Sequence, residues 1–290
     1  MMADGNNIKI IKKGDANFPW MLEHMDDGPE SLYCIGKTEL LDKPAAAVVG
    51  ARKCSEYGRQ TATKIAAVLA EAGIVTVSGM AEGTDAFAHM GAMKKGGETI
   101  AVLGSGPDIC YPLSNRNIYD KICRYGLVIS EYPPGTKPRK WHFPRRNRII
   151  AALSQAVIIA EAGLKSGALI TALKAAELGK EVMAVPGNIN SPYSIGCNKL
   201  IADGAAIVTD TDDVLRCLGI QPEAADECIP VMGEDERTVY KALLKRGEAG
   251  IDQICFDTGK TAFEVSGIVT AMEMKGLLSY SCGKIYIAKL

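Results

Sequence analysis

Seven short apolar runs rich in β-branched residues recur about every twenty-five residues: Ala45 to Val49, Ile74 to Val77, Thr99 to Leu103, Leu127 to Ser130, Ala156 to Glu161, Glu181 to Val185 and Ala206 to Thr209. Most intervals between them read as helices. Between Arg59 and Glu71, for example, Ala62, Ile65, Ala66 and Leu69 form a single apolar stripe. Strand, helix, strand at this spacing builds a parallel sheet covered on both faces, and runs that are apolar throughout fit strands buried on both sides. A doubly wound, Rossmann-like α/β sheet is therefore predicted over residues 43–220.

Such a sheet binds ligands outside the carboxyl ends of its strands, where helix N-termini and Gly-rich turns direct their N–H groups outward. The predicted strands run out into Gly50-Ala51-Arg52, the turn from Ser78 to Asp85, Gly104-Ser105-Gly106, Ser130-Glu131, Glu161-Ala162-Gly163 and Pro186-Gly187-Asn188, which gathers the small and polar loop residues on one rim. The segment after the fourth strand reaches the same rim carrying Lys137, Arg139, Lys140, Arg145, Arg146 and Arg148, with no acidic residue and with Trp141, His142 and Phe143 among them. The whole chain has a formal net charge of only -1, so this is a local concentration of cations beside flat side chains. It reads as a localised nucleic-acid groove rather than a bulk polyelectrolyte surface, with a solvated loop as the plain alternative. Ile149 to Leu153 continue the run into an apolar helix, which sets the arginines and Asn147 on or beside a buried element.

At 290 residues and 47% hydrophobic, the chain has material for one substantial core and a small second domain. It holds no apolar run of bilayer length, and Met1 to Lys13 lacks the apolar stretch of a secretory signal. The nine cysteines are scattered singly, with no Cys-x-x-Cys pair and no His at metal spacing, which predicts reduced thiols, a cytoplasmic protein, and no zinc site or cofactor.

No Gly-x-Gly-x-x-Gly follows the first strand, so a dinucleotide is not expected. Arg52, just past that strand end, is predicted to meet an anion, a neighbouring carboxylate being the alternative. Ser78, Gly79 and Gly83 make a turn able to present successive N–H groups to a phosphate, with Asp85 capping the next helix or orienting the turn. Lys165 to Thr171 is a second loop of this kind or a plain helix start. Only His24, His89 and His142 are available as histidines, and none has a nucleophile and a carboxylate at recognisable spacing. His89 reads as a structural, hydrogen-bonded histidine. Glu131 and Glu161 are expected to bind loop amides or to pair with Arg145 or Arg148.

After Leu218 the texture changes. Residues 221–233 are polar and acidic with two prolines, which marks a linker. Three short helical patterns follow, Arg237 to Lys245, Gly250 to Thr258 and Ala262 to Lys275, then a hairpin-like end; this is the outline of a winged-helix-like domain over 234–290. Residues 1–42 read as an N-terminal arm packed on the sheet domain.

The motifs resemble those of the DNA-processing proteins DprA, also called Smf, over nearly the whole chain. The resemblance rests on Val48-Val49-Gly50-Ala51-Arg52 with Tyr57-Gly58, the segment Ser78 to Asp85 with Ala88-His89, Ser130 to Gly135, Phe143-Pro144-Arg145-Arg146-Asn147-Arg148, Ser166-Gly167-x-Leu169-Ile170-Thr171 and Val185-Pro186-Gly187. It implies a Rossmann-type domain that binds single-stranded DNA, forms a homodimer and loads the RecA recombinase during natural transformation, with no enzymatic turnover. It also carries a phosphate-binding role over to Arg52. The sequence departs from the family in Ala51, where a hydroxyl is usual, and in Glu82, where Arg is common.

The groove expected from these readings has Arg52 and Arg146 on phosphates, and Ser78, Gly79, Ser166 and Gly167 as donors. Arg145 and Arg148 shape it, and Gly83, Lys140, Asn147 and Lys199 complete it. The competing reading is a nucleotide-binding hydrolase of the phosphoribohydrolase type, against which stands the lack of an acid after Ser166-Gly167. The C-terminal module, whose stretch Ala262 to Lys275 has Lys275 as its only basic residue, is expected to contact protein rather than duplex DNA.

Overall fold

The structure is a computed structural model and describes residues 8–221, 232–281 and 283–287. The chain divides into two compact units, Met1–Pro222 and Glu223–Leu290. Most of the linker expected at 221–233 lies outside the described residues.

The larger unit is built on nine strands: β1 (Lys9–Lys12), β2 (Ser31–Gly36), β3 (Ala45–Gly50), β4 (Val75–Ser78), β5 (Thr99–Leu103), β6 (Leu127–Ser130), β7 (Ala156–Glu161), β8 (Glu181–Ala184) and β9 (Ala206–Ile207). Their order in the sheet is β1-β2-β6-β5-β4-β3-β7-β8-β9. All pairs from β6 across to β9 are parallel. The seven apolar runs thus form one parallel sheet, and the order reverses between β3 and β7, the switch point at which such sheets open a crevice. The arm at the N-terminus is more than a packed extension: β2 joins β6 antiparallel and β1 joins β2, so the arm extends the sheet edge. β1 was hard to see because only Ile11 of its four residues is buried, whereas β3 is buried nearly throughout.

The helices of this unit are α1 (Trp20–Glu23), α2 (Glu56–Glu71), α3 (Thr84–Lys94), α4 (Arg116–Tyr125), α5 (His142–Leu153), α6 (Ala168–Glu177), α7 (Ile195–Ala202) and α8 (Thr211–Cys217). Ser55 caps α2 by accepting from the Gly58 N–H, and the stripe Ala62, Ile65, Ala66, Leu69 faces the sheet fully buried. Each large aliphatic side chain so buried contributes about 1.5–3 kcal/mol. The core lies on both faces of the sheet. Leu127, Ile129, Ile149 and Ile159 belong to one layer, and Val48, Ile65, Leu69 and Ile158 to the other.

The smaller unit has α9 (Glu234–Arg246), β10 (Glu248–Ala249), α10 (Ile251–Thr258), α11 (Ala262–Met274), β11 (Leu278–Ser281) and β12 (Lys284–Ile287). The helical patterns read from sequence sit on these three helices. The terminal hairpin gains a third strand, in the order β10-β12-β11, because two residues after α9 pair with β12. Val239, Leu243, Ile254, Val265, Met272 and Ile285 make its own core. Among the described residues no helix is long and apolar enough to cross a membrane.

Helices α2 and α3 approach through Gly91, where an added Cβ would lie 2.9 Å from Thr63 Cα and 3.0 Å from its carbonyl carbon. Helix propensity alone favours a larger residue there. Overlap with backbone overrides it, and Gly91→Val is expected to lower stability by roughly 2 kcal/mol in urea unfolding.

Candidate nucleic-acid interface

At the switch point a crevice of about 560 Å³ opens beyond the ends of β3 and β7. Its lining includes Arg52 and Lys53 after β3, Lys140 and Phe143 around the start of α5, and Lys165, Ser166 and Gly167 after β7. Arg52, Lys53, Lys140 and Lys165 are all exposed. No carboxylate among the described residues lies within 4.0 Å of any of the four. The Arg52 guanidinium carbon sits 5.2 Å from the centre of the Phe143 ring, a cation–π contact that orients the charge without neutralising it. Tyr193, partly exposed, adds a second ring to the lining.

Behind this rim the groups are committed to each other. Arg146 is only 4% exposed; its Nη1 donates to Gly79 O and to Val102 O, and its Nε donates to Asn147 Oδ1 at 3.1 Å. Burial pushes the guanidinium down to about 10, nearby Asp85 opposes the shift, and Arg52 adds to it. Asn147 in turn donates from Nδ2 to Gly167 O at 3.2 Å. The single arginine and its neighbour therefore tie α5 to the ends of β4, β5 and β7.

The Ser78-to-Asp85 turn is shaped from within. Asp85 accepts from the Gly79 N–H at 3.1 Å and the Ala81 N–H at 3.3 Å, and Asn115 donates to the carbonyls of Met80 and Ala81. Met80, fully buried, takes the left-handed conformation at φ 60, a strained geometry that these bonds hold in place. Burial raises the Asp85 carboxyl, against the pull of Arg146. A Cβ on Gly79 would meet the Arg146 guanidinium carbon at 2.6 Å, so this glycine is needed for close approach.

These contacts correct several expectations. Arg146 lines the crevice as expected, but it is largely buried and commits Nε and Nη1 to Asn147 and to two backbone carbonyls, so it braces the loops as well as facing the site. Ser78 donates its hydroxyl to Val48 O, and the Gly79 N–H goes to Asp85, so neither is spare as a donor. The Ser166 hydroxyl accepts from the Ala168 N–H at the start of α6. Gly83, at φ 76, lets the chain pass against the Arg52 carbonyl. Arg148 is 2% exposed and donates to Glu131 at 2.6 Å, with Asp27 also at 3.4 Å; Arg145 shares Glu131 at 3.4 Å. Neither lines the crevice, because residues three apart on α5 share the face turned to Glu131. Lys199, exposed on α7, does not line it either. Arg52, Lys140, Asn147, Ser166 and Gly167 do line it, and Lys53 joins them, one residue beyond the strand-end segment read from the sequence.

Glu161 behaves as its position after a strand suggested: 2% exposed, it accepts from the Ser55 N–H at 2.7 Å and from the Ser55 hydroxyl at 2.5 Å. The three histidines lie outside the crevice lining, and its one carboxylate is the engaged Asp85. His89 is fully buried, bonded through Nδ1 to Thr99 Oγ1 at 2.7 Å. Burial, helped by the charge of Arg146, pushes His89 down to about 3.

Fold and crevice together define a Rossmann-type α/β protein whose rim, where a dinucleotide site would carry glycines, is cationic and has no ion pair among the described residues. The chain belongs to the family of DNA recombination-mediator protein A, whose model matches residues 9–219. It is 48% identical over 201 residues to the DNA processing protein DprA of Streptococcus pneumoniae, covering 69% of this chain and 71% of that protein. To DprA of Bacillus subtilis it is 40% identical over 212 residues, 73% of this chain and 70% of the relative. The X-ray structure of the Streptococcus pneumoniae protein superposes with a TM-score of 0.70 at 45% identity, over 72% of this chain and 74% of that one. DNA processing protein A from Helicobacter pylori, whose structure concerns a single-stranded DNA binding mode, superposes with a TM-score of 0.67 at 34% identity, over 73% and 95% of the two chains.

Two outcomes test this geometry. Arg146→Met strands Asp85 and two strand-end carbonyls in the interior and is expected to cost about 3–5 kcal/mol in urea unfolding. His89 stays neutral in the folded protein while the unfolded chain takes up a proton below about 6.5, so its contribution to stability is lost as pH falls from there toward 3. Urea titrations between pH 7 and pH 4 are expected to show a decline steeper in the native protein than in His89→Gln. The difference approaches about 1.4 kcal/mol per pH unit, with Asp85 common to both.

Proposed function

We propose that the protein binds single-stranded DNA by its phosphates at the β3/β7 crevice and hands the strand to a RecA-type recombinase in natural transformation, without chemical turnover. The observation that carries this reading is the set of four exposed cations in the crevice lining, Arg52, Lys53, Lys140 and Lys165, with no carboxylate among the described residues within 4.0 Å of any of them. Phosphate contacts of this kind supply affinity without reading sequence and leave bases outward, accessible to a partner. The Helicobacter pylori relative, named for its single-stranded DNA binding mode, supports the ligand class, and the family's name as a recombination mediator supports the handover. Homodimerisation is part of the reading. Ile189 at 81% exposure, Leu164 and Leu173 at 58% each, and Ile207 at 47% are large apolar side chains left open around β8 and α6. The winged-helix-like C-terminal unit serves protein contact in this scheme.

Fluorescence anisotropy of labelled oligo-dT against duplex DNA over a salt series tests the proposal. Affinity is expected to favour the single strand and to fall linearly with log salt. Arg52→Ala and Lys140→Ala are each expected to weaken binding by about tenfold at low salt and to reduce the slope by about 0.7. Unchanged affinity and slope in the double variant rule out this crevice. Release of free base from nucleoside monophosphates would instead establish a hydrolase.

A further inference from the structure

A second concavity, of about 1400 Å³, lies along α2, α3 and α4. It is two and a half times the size of the crevice, and larger than the usual small-molecule site. Its apolar lining comes from Phe87, Met90 and Met93 of α3 and Ile118 and Tyr125 of α4. Met90 is 45% exposed and Tyr125 64%, so a considerable apolar area stands open to water. Each helix also contributes a lysine to the lining: Lys64 from α2, Lys94 from α3 and Lys121 from α4. All three are exposed, with no carboxylate among the described residues within 4.0 Å. The one carboxylate in the lining, Glu98, is shared between Lys37 at 2.9 Å and Lys43, and these lysines hold it below the usual carboxylate range. Two lysines to one carboxylate leave the lower end cationic as well.

We infer that this groove docks an acidic amphipathic segment of a partner protein, apolar side chains on the methionine floor and carboxylates on the lysine rim. Methionine is flexible and polarisable and suits a surface that must accept helical side chains of varied shape. An apolar floor between cationic edges matches a helix with one apolar and one acidic face. Two observations set the groove apart from a polynucleotide path. Its end nearest the crevice is bordered by acids: Ser114 in the lining donates to exposed Glu82 at 2.8 Å, and Arg59 pairs with Glu56 at 3.3 Å. A phosphate chain leaving the crevice in this direction meets both carboxylates. The Phe87 ring is also covered by the Arg59 guanidinium, 4.6 Å from its centre, which removes a face on which a base would stack.

The test uses the full chain and a fluorescein-labelled synthetic helix of about five turns, leucine on one face and glutamate on the other, with a lysine-for-glutamate copy as control. The acidic peptide is expected to bind and the basic copy not to. Lys64→Glu/Lys94→Glu/Lys121→Glu is expected to weaken the acidic peptide about tenfold and to gain binding of the basic copy, and Met90→Asp to weaken the acidic peptide similarly. Oligo-dT affinity is expected to be unchanged in both variants, which separates this groove from the crevice. Failure of the acidic peptide to bind, equal binding by the variants, or loss of oligo-dT affinity in the triple variant overturns the inference; the last outcome makes the groove a nucleic-acid path.

Discussion

A guanidinium largely withheld from water depends on its neighbours to offset the cost of its charge, and the rim of this protein is organised around one. Arg146 sits 4% exposed with its donors on Gly79 O, Val102 O and Asn147 Oδ1, and with the Asp85 carboxylate close enough to favour its charge. Desolvating such a group is expensive, and its partners repay that cost only in this arrangement. The ends of β4 and β5 and the loop after β7 are thereby held against α5 in one geometry. The backbone that carries the exposed cations shares that rigidity, which would limit the backbone ordering needed for an anion to bind there.

The same economy runs through the second ring of contacts. Glu161 ends β7 and fastens the start of α2 through Ser55, so the two sides of the switch point are joined by a buried carboxylate. Arg148 and Arg145 converge on Glu131 after β6, and Arg148 reaches Asp27 beyond α1. A run of six basic residues thus divides its labour. Those on α5 that point inward hold the rim together, and Lys140 before the helix stays open to solvent.

Two cationic surfaces result, of different character. The crevice is small, rimmed by exposed cations and backed by buried charges. The groove along α2, α3 and α4 is wide, floored by methionine and aliphatic side chains and edged by lysines on long flexible stems. Glu56 and Glu82 border the second at the end nearer the first.

Much of the fold was legible in the chain, because strands buried on both faces admit only continuous apolar runs and the helices between them need one stripe. The seven runs became the parallel strands, and the loops after them met on one rim. The N-terminal strands were not legible, since the edge strand β1 buries only Ile11 and β2, beside it, is only partly buried, so neither shows the continuous apolar run of the parallel strands. At the site, residue types determined which groups could meet a phosphate, and Arg52 and Lys140 stand where that reasoning put them. Which cations remain available was decided by tertiary structure alone: Arg145, Arg146 and Arg148 are chemically alike and close in sequence, and only helix phase and the placing of Glu131, Asp85 and Gly79 buried Arg146 and Arg148 as braces and left Arg145 exposed. Charge is a property of the residue, but whether it is free depends on what the fold brings within a hydrogen bond's reach.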